Sequence, residues 1–162
     1  MATAADLYKV GTLEKVDPND ILETWEQPHR AIYLTPRAGK WLEDDLTALK
    51  TDGVISGANS PKDQVYDLFY NFISGTNLAQ DSWFPKPLRR SQKSVWELRT
   101  PDLRLFGWFW RKGIFVISAI NTATNIKDSD LYEGYKDQCV FDRSKLDLDP
   151  PKYISGSIVD VL

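Results

Sequence analysis

The sequence has very little sulfur or imidazole: one cysteine, Cys139, and one histidine, His29. A single thiol cannot close an internal disulfide, which fits a reducing compartment. A Cys/His zinc site draws on about four such ligands, so metal chemistry of that kind is set aside and no cofactor is expected. No apolar run approaches the roughly 20 residues of a membrane-spanning helix, so no membrane partner is expected. The opening MATAADLYKV lacks the basic-then-apolar order of a secretion signal, and the expected location is cytoplasmic. Internal repeats and low-complexity tracts are absent as well.

What is present is an ordinary globular composition, 42% hydrophobic and 27% charged over 162 residues, enough for one sizeable core. The net charge of −3 conceals an asymmetry. Between Phe84 and Lys112 stand eight cations (Lys86, Arg89, Arg90, Lys93, Arg99, Arg104, Arg111 and Lys112) against Glu97 and Asp102. That block is therefore +6 and the rest of the chain −9. A basic band on an acidic body suits contact with phosphates. Pairing with the body's own carboxylates is the competing reading.

Turn and cap signals divide the chain. Asp17 and Pro18 open a short helix over 19–26. Residues 31–35 read as a strand stopped by Pro36, and 37–50 as a helix with Leu42, Leu46 and Leu49 inward and Gly53 at its end. Ser60 and Pro61 start the clearest helix, with Val65, Leu68, Phe69, Phe72 and Ile73 in one stripe and Gly75 closing it. Residues 76–94 form a long, basic, proline-marked connection.

Three strands follow over 95–99, 103–110 and 114–120, joined by short turns into an antiparallel meander. Alternation puts Leu103, Leu105, Gly107 and Phe109 on one face and Arg104, Phe106, Trp108 and Trp110 on the other. A helix over 129–144 has Leu131, Tyr135 and Cys139 inward, and the tail after Pro150-Pro151 offers an edge strand. The expected class is α+β, an antiparallel sheet of three to four strands with helices packed on it.

The order strand, two helices, meander, helix, together with Glu97-Leu98-Arg99 and Leu103-Arg104-Leu105-Phe106, resembles the RelE/HigB-type toxins of toxin–antitoxin pairs, especially the phage-derived HigB-like branch. The similarity spans 31–145, leaving 1–30 as an N-terminal extension and 146–162 as a tail. It implies a RelE-like microdomain held by an antitoxin protein, acting at the ribosome on mRNA as a metal-independent endoribonuclease. On that resemblance Arg99 and Arg104 grip and stabilise the scissile phosphate with Lys127 or Arg111 assisting, while Lys86, Arg89, Arg90, Lys93, Arg111 and Lys112 contact nucleic acid. The chemistry is sound, because attack of a ribose 2′-hydroxyl on its phosphate develops charge that fixed guanidiniums stabilise.

Departures from the pattern keep a second class open. Asn121-Thr122-Ala123-Thr124 stands where a Lys-Lys pair is usual, and the isoelectric point is about 5.2. Both suit a non-catalytic inhibitor that binds a protein target, such as a replication or translation factor, through an aromatic or acidic surface. Each singled-out group also has a plain reading: Arg99 and Arg104 paired with Glu97, Trp96, Trp108 and Trp110 in the core, Arg111-Lys112 at a solvated hairpin tip.

Overall fold

Six strands and seven helices are present among the described residues, 1–46, 49, 60–79 and 86–162 of this computed structural model. In chain order they are α1 (Ala4–Lys9), β1 (Glu14–Lys15), α2 (Pro18–Ile21), β2 (Ala31–Leu34), α3 (Pro36–Lys40), α4 (Pro61–Ile73), β3 (Leu88–Arg90), β4 (Trp96–Arg99), β5 (Leu103–Arg111), β6 (Ile114–Thr122), α5 (Ala123–Asp128), α6 (Tyr132–Lys145) and α7 (Ile158–Val161). The class is α+β. The strands form one sheet in the order β1-β2-β6-β5-β4-β3.

That sheet is wider than three to four strands, and it is mixed. β2 runs parallel to β6, Ala31 opposite Ile114 through Leu34 opposite Ile117. The long crossover through α3 and α4 gives β2 room to lie beside the last strand in the same direction. The extra edges, β1 and β3, are two and three residues long, too short to show alternation. β3 lies in the stretch expected to be a connection; only Leu88 of its three residues is buried.

The meander forms as its turns dictate. Gly113 takes φ +72° at the β5–β6 turn, a conformation that costs glycine little. Gly107 is needed for a different reason: a Cβ there would sit 2.0 Å from the Val116 carbonyl oxygen and 2.8 Å from the Phe115 ring. Register shifts on β6 and β5 leave Ser118 and Trp110 as extra residues.

One sheet face meets α4. Ser60 caps that helix by accepting from the Asp63 amide at 3.1 Å, and its stripe of Val65, Leu68, Phe69, Phe72 and Ile73 is buried. It packs on Leu98, Leu103, Leu105 and Phe109, with Phe109 and Phe115 ring centroids 4.9 Å apart. The other face carries Phe106, Trp108 and Trp110, as the alternation along β5 predicts. α6 covers Phe106, with Tyr135 stacked on it at 5.0 Å; α1 and Leu148 cover Trp108 and Trp110.

Local departures have local causes. α2 ends at Ile21 because the Glu23 amide is taken by the Glu26 side chain at 3.0 Å. α3 continues as a π-turn over Trp41–Asp45; residues 47, 48, 50 and Gly53 lie outside the described residues. α5 occupies a stretch that reads as polar, because Thr122 caps it and only Ala123 and Ile126 are buried. The tail makes no strand. Ser157 and Asp160 form a capping box that starts α7 instead. The N-terminus meets the segment after α6: the Ala2 amide donates to the Asp147 carbonyl and the Asp149 amide to the Ala2 carbonyl, both at 2.8 Å.

Candidate functional site

The β4–β5 turn is anchored from within, from α4 and from α5. Thr100 accepts from the Leu103 amide at 2.9 Å. Gln64 of α4 grips Asp102 twice, donating to its carboxylate at 2.8 Å and accepting from its amide at 3.1 Å. The Ala123 amide, opening α5, donates to the Asp102 carbonyl at 2.8 Å. This turn fixes the pairing in which Arg99 stands opposite Arg104, and Arg104 opposite Asn121.

Two arginines face to face on a sheet are destabilising unless something answers them. Arg104 is 4% exposed. One of its terminal nitrogens donates to the carbonyls of Thr100 and Leu103 at 2.6 and 2.8 Å, so it holds the turn that positions it. Its Nε has no partner, and neither has the buried Nε of the half-buried Arg99. Two residues before Arg99, on the same face, Glu97 is 2% exposed with Oε1 unpartnered. Arg89 stands opposite Glu97 across β3–β4.

The electrostatics follow from burial. Desolvation raises the Glu97 carboxyl above the ordinary range, even though Arg89, Arg99, Arg104 and Lys136 all act to lower it. Desolvation and then the Arg104 charge push Arg99 down, opposed by Glu97. Four cations act on one carboxyl whose burial opposes them. α6 closes the site on its outer side. Tyr135 stacks on Phe106 and accepts from the Asn121 amide group at 2.9 Å; Tyr132 meets Phe106 edge-on at 6.0 Å. Lys136 is bound to Glu133 one turn back at 2.5 Å.

The basic band does not form one surface, because strand alternation splits it. Of β3, only Arg89 shares a face with Glu97. Arg90 pairs with Trp96 on the α4 side, donates to the Gly156 carbonyl at 3.1 Å, and lines a cavity of about 350 Å³ with Lys86, Leu88 and Ile158. Lys93 pairs with Asp137 at 3.4 Å, both exposed. Arg111 donates to the carbonyls of Trp110, Asp149, Pro150 and Pro151 at 2.6–3.3 Å and lies over the Trp110 ring at 4.2 Å. It clasps the tail. Lys112 is exposed at the hairpin tip, and Lys127 is exposed on α5 with no side-chain contact to the Arg99 cluster among the described residues.

Lys136 and Tyr132 complete the site without having been singled out in the sequence; Tyr135 reads there only as an inward helix position and Asn121 only as standing where a Lys-Lys pair is usual. Nothing in a helix reading marks Lys136, since its role depends on where α6 crosses the sheet. Among the described residues no three His, Cys, Asp or Glu side chains converge as metal ligands do, and no helix is long and apolar enough to cross a membrane. No family model, curated protein or solved structure significantly matches this chain.

Proposed function

We propose that the chain is a toxin-type protein that engages RNA phosphate at the Arg99–Arg104 cluster and cleaves message without a metal. One observation carries the reading: two directly opposed arginines, each with a buried Nε that has no partner among the described residues, beside a buried carboxyl that bonds to neither. A phosphodiester supplies the missing acceptors, and its transition state carries the charge that guanidiniums stabilise. Arg99, the more open of the two, contacts the phosphate; Arg104, tied to two carbonyls, positions it.

The test uses purified protein, ribosomes and a defined message. Native protein is expected to cut the message. Arg99→Ala is expected to leave it intact while retaining native circular dichroism. Equal cutting by native protein and a folded Arg99→Ala variant removes the assignment.

A specific observation favours the second reading, a non-catalytic inhibitor of a protein target. Trp25 is 77% exposed on a loop that is firmly held: Tyr70 donates to Glu26 at 2.6 Å and Tyr66 to the Ile21 carbonyl at 3.1 Å. An exposed tryptophan among Asp20, Glu23 and Glu26, on backbone held at Ile21 and Glu26, has the make-up of an interface anchor. Growth arrest with intact message, lost on Trp25→Ala, would select this reading.

A further inference from the structure

Among the described residues, the β4–β5 end has four buried polar atoms without partners: Glu97 Oε1, Arg99 Nε and Arg104 Nε share one sheet face, and Asp102 Oδ1 lies in the turn, where Gln64 of α4 holds its other oxygen. Leaving such groups without partners is costly, and more so when they carry charge. The two arginine atoms are donors. If Glu97 is ionised it is an acceptor, yet it bonds to neither. If Glu97 carries a proton, the set on that face seeks an acceptor, and one tetrahedral oxyanion has oxygens enough for all three.

We infer that this cluster is a proton-coupled oxyanion site, in which protonated Glu97, Arg99 and Arg104 hold one phosphate-like group between β4 and α6. The inference rests on the reading above that the cluster faces phosphate. It adds that Glu97 is part of the binding set and that a proton enters with the anion.

The surroundings agree from every side. Arg89 faces Glu97 from β3, Arg99 from its own strand, Arg104 from β5 and Lys136 from α6. Tyr132, near enough to influence Arg99 electrostatically, and Tyr135 border the site from α6. Glu133, bound to Lys136, is the one nearby carboxylate on α6, and its partner screens it. Glu97 and Arg99 lie about 6.6 Å apart along the strand, close enough for one anion to reach both side chains. With Glu97 neutral the site has four cations, and the carboxylates bordering it, Glu133 and Asp102, are already engaged by Lys136 and Gln64. With Glu97 ionised an incoming oxyanion meets a like charge in a poorly solvated place. Binding therefore favours the protonated form, and the anion in turn raises proton affinity there.

Sulfate is the probe for the proton, because it has phosphate's shape and does not itself titrate in the working range. Calorimetry of the full chain in two buffers of different ionisation enthalpy reads the protons taken up. Measured above the pH at which Glu97 ionises in the free protein, the expected result is about one proton per sulfate, with affinity falling about tenfold per pH unit there. Glu97→Gln, which keeps a donor and cannot ionise, is expected to bind without that slope, and Arg99→Ala to lose binding. Failure of folded native protein to bind sulfate overturns the inference. So does binding without proton uptake, or a slope that persists in Glu97→Gln. The native measurement needs no variant, so misfolding of Glu97→Gln does not blunt it. A 2′-O-methylated oligoribonucleotide separates the two readings. Proton-linked sulfate binding with no oligonucleotide binding removes the RNA reading alone. Oligonucleotide binding at this site with no proton uptake removes the coupling alone.

Discussion

One face of the sheet carries arginines at both ends, and the ends treat them differently. Toward the tail, Arg111 gives its donors to four carbonyls and lies against Trp110, while Trp110 donates its own indole N–H to the Asp149 carbonyl at 3.1 Å. Among the described residues, the Trp108 indole N–H is the one buried side-chain group without a partner there. Toward the β4–β5 turn, Arg99 and Arg104 oppose each other with three polar atoms unmade around them. Carbonyl clasping turns a charge into a staple, because the backbone offers acceptors that never move or titrate. A guanidinium that bonds to no neighbouring carboxylate keeps donors available. The difference separates an arginine that holds the fold from one that holds something else.

The widest separation is expected from exchanging the two arginines' fates. Arg99→Ala should lower cleavage about 100-fold or more, as removal of a single transition-state donor does, with little change in the unfolding midpoint. Arg111→Ala should do the opposite. Cleavage is retained, stability falls by about 2 kcal/mol for the lost charge-assisted bonds, and the segment after Asp149 becomes sensitive to limited proteolysis. If Arg111→Ala lowers cleavage while the tail resists protease, the two ends do not differ as argued.

A smaller effect tests the carboxyl. Glu97 binds its proton more tightly folded than unfolded, because burial raises it above the ordinary value of 4.5. Its contribution to stability is therefore fully favourable below that ordinary value and is lost as pH rises through the raised folded value. Glu97→Gln should erase that part of the pH dependence and raise the neutral-pH midpoint by a few degrees. Denaturation curves across pH check it. A native protein whose stability is flat through the acid range, or a Glu97→Gln variant that is less stable at neutral pH, would show that Glu97 is satisfied.

Much of the frame was legible in the residues. The Ser60-Pro61 cap and the stripe from Val65 to Ile73 specify α4, and period-two alternation along β5 sorts its two faces correctly. Elements of two or three residues were not legible, since β1 and β3 exist only because a neighbouring strand offers them hydrogen bonds. The opposition of Arg99 to Arg104 was within reach, as the turn between them sets the register. Arg111 looked like a solvated tip because its partners, Asp149 to Pro151, are about 40 residues away in the chain. Dispersal of the basic band was hidden for a related reason: residues clustered in sequence are separated by the sheet plane itself.

Between the two ends lies a middle that should do nothing, and Cys139 reports on it. Its thiol is pushed up to about 12, chiefly by burial. Asp142 also raises it, while a bond to Ser118 works the other way. Asp142 itself is tied down by Ser118 at 2.5 Å, Arg37 at 2.8 Å and Gln138 at 2.9 Å, so α6 is pinned to β6 and α3 at this point. A thiol that stays protonated and covered does not react with iodoacetamide. Native protein should therefore be alkylated only as fast as it opens, and denaturant should make labelling complete within the mixing time. Ser118→Ala, which frees Asp142 from one of its three ties, should speed native labelling without affecting message cleavage. Rapid labelling of the folded native chain would mean that α6 lifts from the sheet as a unit. The open end and the clasped end would then be one mobile surface.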